Sequence, residues 1–177
     1  MTILNQSESL PHKSCSAVKI MLLGPIGVGK TSLLRRLVFD TFSYDYKTTI
    51  GVDLVSYDVE LQDGRPLRLV IWDTDGDFGE SILTSSYAAG ASGALVVGDA
   101  TRPQTLARMA LLLHGFERTM PRRPTCAVLN KVDLVAPGAA ELKPFGGRPV
   151  IQASAQTGRG VREAFLSLAQ SIQRDRN

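Results

Sequence analysis

Residues 24–31 read GPIGVGKT, and this spacing of glycines, lysine and threonine could bind a phosphate group. Glycines allow consecutive backbone N–H groups to wrap around an anion, and a helix that begins there directs the positive end of its dipole at it. In such a loop Lys30 reaches the β- and γ-phosphates of a nucleotide, and the hydroxyl of Thr31 binds Mg²⁺. The apolar segment before Gly24 and the amphipathic segment after Lys30 predict the strand and the helix that this loop requires.

A second candidate site is the acidic segment WDTDGD at residues 72–77, which places three carboxylates in five positions directly after an apolar run. Like charges at a strand end repel one another unless a cation lies there. Asp73 is the candidate ligand for Mg²⁺, directly or through a water molecule. Gly76 would allow a backbone N–H to approach a γ-phosphate with no side chain between them.

The tetrapeptide NKVD at residues 130–133 follows another apolar strand and could select the base. The carboxylate of Asp133 can accept from both the N1–H and the exocyclic amine of guanine, whereas adenine has no such pair of donors on that edge. Asn130 would brace the loop, and the stem of Lys131 would lie over the ring. Alone, NKVD could be an ordinary polar strand end, but beside a phosphate loop it favours guanine binding.

These segments have to be positioned by strands and helices, and the hydrophobic pattern predicts the order βαββαβαββα. Buried strands are predicted at residues 18–23, 54–61, 67–73, 93–99, 125–130 and 150–153, with a hairpin turn at QDGRP, residues 62–66. Helices are predicted at residues 30–38, about 79–88, 104–119 and 160–174, and residues 134–148 are expected to form a loop. The expected fold class is α/β, three layers with helices on both faces of a mixed, mostly parallel six-stranded sheet.

Composition limits the other possibilities. A length of 177 residues with 44% hydrophobic content fits one globular domain, and we expect residues 1–16 to be a flexible leader and residues 17–177 the domain. The net charge of +3 is mild and its cations, Arg35 and Arg36 among them, are scattered without interleaved aromatics, so we expect no nucleic-acid binding. Cys15 and Cys126 are the only cysteines, which favours a reducing, cytoplasmic location. We expect a monomer with no membrane span and no lipid anchor.

Five segments in order, GPIGVGKT, TTIGVD (residues 48–53), WDTDGD, NKVD and SAQTG (residues 154–158), resemble the motifs of a Ras-superfamily small GTPase. TTIGVD and TSSY (residues 84–87) are similar to the Rab branch. The resemblance spans about residues 18–174 and implies a P-loop NTPase G domain that binds GTP or GDP with Mg²⁺ and acts as a molecular switch. A shortened region after NKVD and the missing C-terminal cysteines suggest a divergent relative, such as a bacterial one.

The resemblance also implies roles for individual residues. Thr49 would bind Mg²⁺ and sense the γ-phosphate, Phe42 would pack edge-on against guanine, and the N–H of Ala155 would contact the guanine oxygen. Switch I (about residues 40–53) and switch II (about residues 73–87) would contact a protein effector and an activating or exchange factor. The implied metal ligands are Thr31, Thr49 and Asp73, and the implied catalytic residues are Lys30, Thr49, Gly76 and Asp77. The implied nucleotide-binding residues are Gly24, Ile26, Gly27, Val28, Gly29, Lys30, Thr31, Ser32, Phe42, Thr49, Gly76, Asn130, Lys131, Asp133, Ser154, Ala155 and Gln156.

The sequence departs from the family at two positions that bear on hydrolysis. Asp77 stands where a glutamine usually orients the attacking water; a carboxylate only accepts hydrogen bonds and is one methylene shorter, so it should position water poorly. Its other interpretation is a cap of the following helix. Ile26 stands where a small residue beside the γ-phosphate is usual, and it would either crowd the attacking water and any arginine finger or pack against switch II.

Three further departures are Asp75 in place of alanine, Gln156 in place of lysine, and Tyr46 where some relatives supply an intrinsic arginine. Asp75 could pair with Lys47, tune Mg²⁺ affinity or simply be solvated, and Gln156 would weaken guanine binding. Because of Asp77 and Ile26, hydrolysis is expected at or below roughly 10⁻⁴ s⁻¹. The alternative function is a nucleotide-binding interaction module with little or no hydrolysis. An adenine-nucleotide enzyme is disfavoured by NKVD.

Overall fold

The computed structural model describes residues 16–43, 51–74, 76–136 and 149–176. Six strands and three α-helices form in this part of the chain. The strands are β1 (Ser16–Leu23), β2 (Val52–Glu60), β3 (Pro66–Thr74), β4 (Gly93–Asp99), β5 (Thr125–Asn130) and β6 (Val150–Gln152). The helices are α1 (Lys30–Phe39), α2 (Gln104–Thr119) and α3 (Val161–Arg176), and 3-10 helices cover Gly76–Thr84 and Val132–Leu134.

The six strands form one sheet in the order β2-β3-β1-β4-β5-β6. Only β2 is antiparallel, paired with β3 through the turn after Leu61, where the N–H of Gly64 donates to the Leu61 carbonyl at 2.9 Å. After β1 the chain crosses towards β3, whereas after β4 it continues towards β5 on the other side. The carboxyl ends of β1 and β4 therefore border the crevice where α/β sheets of this kind bind ligands.

The core lies in two layers because side chains of a strand alternate between the faces of the sheet. Val18, Ile20 and Leu22 of β1 point to a cluster that includes residues of α1 and α3. Met21 and Leu23 point to a second cluster, with residues of α2 and the 3-10 helix Gly76–Thr84. The predicted three-layer α/β architecture with a mixed, mostly parallel six-stranded sheet is confirmed.

The predicted helix at about residues 79–88 needs correction. The structure has a 3-10 helix over Gly76–Thr84, broken at Gly79 (φ 50°, ψ −136°). The hydroxyls of Ser81, Thr84 and Ser85 donate to carbonyls three residues earlier, which competes with the α-helical pattern. The other predicted strands and helices match their ranges to within two residues, and β1 begins at Ser16, one residue before the predicted start of the domain. The loop predicted at residues 134–148 lies mostly outside the described residues.

Two smaller expectations concern cysteine and membranes. Cys126 is a free, buried thiol, and burial, with the nearby charge of Glu163, raises its pKa to about 12. The thiol therefore stays protonated and unreactive at neutral pH.

Within the described ranges, no helix is long and apolar enough to cross a membrane.

Candidate functional site

The phosphate loop, residues 24–31, connects β1 to α1 as its sequence predicts. Gly29 precedes α1 with φ 93°, a conformation that a residue with a Cβ rarely adopts. A Cβ at Gly29 would also overlap the side-chain amide nitrogen of Asn130. This glycine is therefore required both by the turn into α1 and by the close approach of the NKVD segment.

The first two carbonyls of the loop accept hydrogen bonds from a side chain of the loop itself. The ammonium of Lys30 is buried and donates to the carbonyls of Gly24 at 2.8 Å and Pro25 at 3.3 Å. Lys30 thus lies inside the loop, at the place from which a lysine can reach bound phosphates.

The next three carbonyls are held by side chains from other loops. Nη2 of Arg102 donates to the Ile26 carbonyl at 3.0 Å, and Nζ of Lys131 donates to the Gly27 carbonyl at 2.8 Å. The side-chain amide of Asn130 donates to the Val28 carbonyl at 2.9 Å. The loop is therefore fixed from the ends of β4 and β5, which places NKVD and the phosphate loop in one site.

The candidate metal ligands Thr31 and Asp73 meet beside the loop. The hydroxyl of Thr31 donates to Oδ2 of Asp73 at 2.5 Å, and Asp73 is completely buried. Burial raises the pKa of Asp73, against the lowering effects of the Thr31 hydrogen bond and the charge of Lys30. Oδ1 of Asp73 is buried without a hydrogen-bond partner.

A buried carboxylate with an unpartnered oxygen, beside a threonine hydroxyl, fits Mg²⁺. This ion takes hard oxygen ligands and usually binds one or two carboxylates together with phosphate oxygens and water. Among the residues the structure describes, no group of three His, Cys, Asp or Glu could hold a metal ion. Phosphate oxygens and water would therefore have to supply the other ligands. The protein's share of the site would be Thr31 and Asp73.

Gly76, after β3, lies directly against the phosphate loop. A Cβ at this position would overlap the backbone of Pro25 and Ile26, so no larger residue fits without a shift of one segment. The side chain of Ile26 is 41% exposed beside it. Asp75 and the side chain of Asp77 lie outside the described part of the structure, so the role predicted for Asp77 stays a prediction.

The predicted base-binding residues lie together at the ends of β5 and β6. Asp133 is exposed in the 3-10 turn Val132–Leu134, and Lys131 before it adopts a left-handed conformation with φ 66°. Ser154 is buried, and its hydroxyl accepts from the N–H of Thr157 at 3.1 Å. The N–H of Ala155 donates to Oδ1 of Asn130 at 3.1 Å, so a guanine oxygen could use this N–H only as a second acceptor.

Some of the remaining predicted site residues lie in the described part of the chain, and others lie outside it. Ser32 is half-buried at the start of α1, and the half-buried side chain of Phe42 packs against the core cluster beside α1. Thr49 and Tyr46 lie in residues 44–50, outside the described residues. Switch I is thus described only at its two ends.

Arg36 was interpreted as surface charge in the sequence, but it supports the SAQTG segment. Nε donates to the Ala155 carbonyl at 2.8 Å and Nη2 donates to the Gln156 carbonyl at 2.6 Å. Nη1 holds the carboxylate and the carbonyl of Asp40 at the end of α1. Its only sequence signal is the position near the end of α1, where a cation is common for electrostatic reasons.

Asp99 is a second residue that sequence reasoning missed. It is fully buried at the carboxyl end of β4, and its Oδ2 accepts from Nζ of Lys131 at 2.7 Å and from Nε of Arg102 at 2.9 Å. Burial tends to raise its pKa, but hydrogen bonds from Lys131, Thr101 and Arg102 outweigh burial and lower it. Its position at the tip of a buried strand is a signal that could have identified it.

One comparison with known proteins bears on this arrangement. The model of the Ras family matches residues 19–174, nearly the whole chain. The match includes every segment that forms the site described above. It also agrees with the sheet order and the position of the phosphate loop.

Proposed function

The chain belongs to the Ras family of small GTPases, and we propose that it is a Mg²⁺-dependent guanine-nucleotide switch that hydrolyses GTP slowly. Members of this family bind GTP or GDP and, in general, hydrolyse GTP.

The observation that carries the proposal is the junction between the phosphate loop and NKVD. Asn130 and Lys131 donate to two consecutive carbonyls of the loop, Val28 and Gly27. A base bound at Asp133 would therefore be tied to phosphates bound at the loop by two hydrogen bonds of fixed geometry. This arrangement supports a ligand that has both a guanine base and phosphates.

Magnesium would complete the phosphate side of the site. Asp73 and Thr31 would hold Mg²⁺ beside the bound phosphates, and the ion would supply positive charge to the phosphoryl oxygens. Lys30 would contribute a second positive charge from inside the loop. The unpartnered Oδ1 of Asp73 supports a direct or water-mediated metal contact. Thr49 is proposed as a further ligand from switch I.

Slow hydrolysis is proposed because of Ile26 and Asp77. Ile26 is 41% exposed, and its backbone lies against Gly76. We propose that its branched side chain crowds the attacking water and any arginine supplied by a partner. Asp77 supplies only acceptors in the position of the usual glutamine, so it is a poor group for orienting water.

The same two residues favour a second candidate function, a guanine-nucleotide-binding interaction module with little or no hydrolysis. In that case the nucleotide would order the surface read by a partner, and control would come from nucleotide exchange or from expression. The rate of GTP hydrolysis distinguishes the two functions.

The finer assignments are also proposals. We propose a Rab-like member that works as a cytoplasmic monomer formed by residues 17–177, with an effector and an activating or exchange factor bound at switch I and switch II. The TTIGVD and TSSY segments support the Rab-like assignment, and the presence of only two cysteines supports the cytoplasmic location.

The test is single-turnover hydrolysis of GTP by the purified protein with Mg²⁺, with bound nucleotide followed by chromatography over many hours. Conversion to GDP at about 10⁻⁴ s⁻¹ or below, absent in Lys30→Ala, is the expected result. GTP retained unchanged would favour the interaction module, and no bound nucleotide of any kind would contradict both functions. Asp77→Gln should raise the rate if Asp77 limits a working site.

A further inference from the structure

The buried carboxylate of Asp99 has a full set of donors. Oδ1 accepts from the N–H of Thr101 at 2.9 Å and from its hydroxyl at 2.7 Å. Oδ2 accepts from Arg102 and Lys131, so two cations share one oxygen. A carboxylate buried at the end of a central strand is stable only when it is paired and hydrogen-bonded in this way. The orientation of both cations is therefore set by Asp99.

The same two cations continue to the phosphate loop. The guanidinium of Arg102 divides its donors, with Nε on Asp99 and Nη2 on the Ile26 carbonyl. The ammonium of Lys131 divides its hydrogens between Asp99 and the Gly27 carbonyl. Asp99, Arg102 and Lys131, here called the Asp99 latch, thus hold two consecutive carbonyls of the loop.

Holding these carbonyls fixes the N–H groups on the other side. In a trans peptide the C=O and the N–H point in opposite directions. The Ile26 carbonyl shares a peptide with the N–H of Gly27, and the Gly27 carbonyl shares one with the N–H of Val28. With both carbonyls drawn towards the latch, these two N–H groups face away from it, as an anion-binding turn of the backbone requires.

We propose that Arg102, oriented by Asp99, is a positioning residue that sets how long the phosphate loop retains a guanine nucleotide. This inference rests on the proposed nucleotide binding and extends it. In this proposal Arg102 acts through its hydrogen bond to the Ile26 carbonyl, which belongs to the same peptide as the N–H of Gly27. An arginine suits this position because its planar fork can serve a carboxylate and a carbonyl at the same time, whereas a lysine ammonium has no such fixed fork.

The experiment measures the rate at which a fluorescent GDP analogue leaves the protein, in excess unlabelled GDP and at constant Mg²⁺. Arg102→Ala should release it about tenfold faster, the loss expected for a charge-assisted hydrogen bond that holds the loop. Arg102→Lys should recover part of the slow release, and Arg102→Met, of similar length but uncharged, should behave like Arg102→Ala. The matched control is Arg118→Ala, an exposed arginine at the far end of α2.

A thermal unfolding midpoint is measured for each variant, because a merely structural role would lower stability without restoring slow release in the lysine variant. Faster release in the alanine and methionine variants, partial recovery with lysine and an unchanged Arg118→Ala establish the positioning role. Equal release rates for wild type and all Arg102 variants would overturn it while leaving nucleotide binding intact. Failure of the wild-type protein to bind the analogue would overturn the proposed function as well.

Discussion

Asn130 is the residue whose removal should show most clearly that the phosphate loop and the base site are one structure. Its side chain is 1% exposed, its amide donates to the Val28 carbonyl at 2.9 Å, and its oxygen accepts from the N–H of Ala155 at 3.1 Å. Asn130→Ala removes both bonds and leaves both buried backbone groups without a partner.

The size of the effect follows from those two groups. A buried donor or acceptor left unsatisfied costs about 1–3 kcal/mol, so the variant should lose roughly 2–6 kcal/mol of unfolding free energy. For a domain of this length each kcal/mol lowers the midpoint of thermal unfolding by about 2–4 °C, and we expect a fall of about 10 °C. This is a large part of the roughly 5–15 kcal/mol that stabilises a typical domain.

The assay is thermal unfolding of nucleotide-stripped protein followed by far-UV circular dichroism, repeated with saturating GDP and Mg²⁺. Gln104→Ala, which removes an exposed amide at the start of α2, is the control and should unfold like wild type. Because a ligand that binds the folded state raises the midpoint, the GDP-induced rise should also be smaller in Asn130→Ala. A midpoint within about 2 °C of wild type without nucleotide would refute this reasoning.

Three further predictions concern single substitutions. Asp73→Asn should raise the thermal midpoint of metal-free protein at pH 7 and abolish the dependence of GDP retention on Mg²⁺. The raised pKa of Asp73 means that its ionised form disfavours folding, so its contribution to stability falls as pH rises from 3.8 through the folded pKa. An unchanged or lower midpoint would contradict this. Arg36→Ala should weaken GDP binding about tenfold in equilibrium titration, because the Ala155 and Gln156 carbonyls lose a charged donor; the adjacent, exposed Arg35→Ala is the control, and equal affinities would count against the support assigned to Arg36. Gly76→Ala should slow GTP hydrolysis while GDP binding persists, because its Cβ would push the segment after β3 away from Ile26, and single-turnover rates equal to wild type would show that this contact has no role.

The elements that the sequence predicted best are those whose pattern is local. Helix α2 has the predicted bounds, residues 104–119, because its apolar spacing follows Pro103, which suits a helix start. Strands β4 and β5 also have their predicted bounds, since short continuous apolar runs are typical of buried parallel strands. An ordinary helix was predicted at about residues 79–88, where the structure has a 3-10 helix over Gly76–Thr84, because hydroxyl bonds to nearby carbonyls leave no mark in the apolar spacing.

The placement of candidate site residues was predictable where one segment contains all of them, as in GPIGVGKT and NKVD, and not where the contacting residues are distant in the sequence. Arg36 and the Ala155 carbonyl are 119 residues apart, so nothing near Arg36 in the sequence indicates its contact. The position of Asp99 at a strand tip marks it as a candidate, but its partner Lys131 and the Ile26 and Gly27 carbonyls beyond are distant in the sequence. Such pairs become visible only once the strand order brings the loops together.

The central claim, a site built for a guanine nucleotide, is tested most directly by equilibrium competition. GDP, ADP and XDP would be titrated against a fluorescent GDP analogue on wild type and on Asp133→Asn, with Mg²⁺ present. The expected result is that GDP binds wild type at least about a hundredfold more tightly than ADP, because adenine lacks the pair of donors that the carboxylate of Asp133 would accept from. In Asp133→Asn the preference should move from GDP to XDP, since an amide can donate to the carbonyl that replaces the exocyclic amine of guanine. Comparable affinities of wild type for GDP and ADP would contradict the claim.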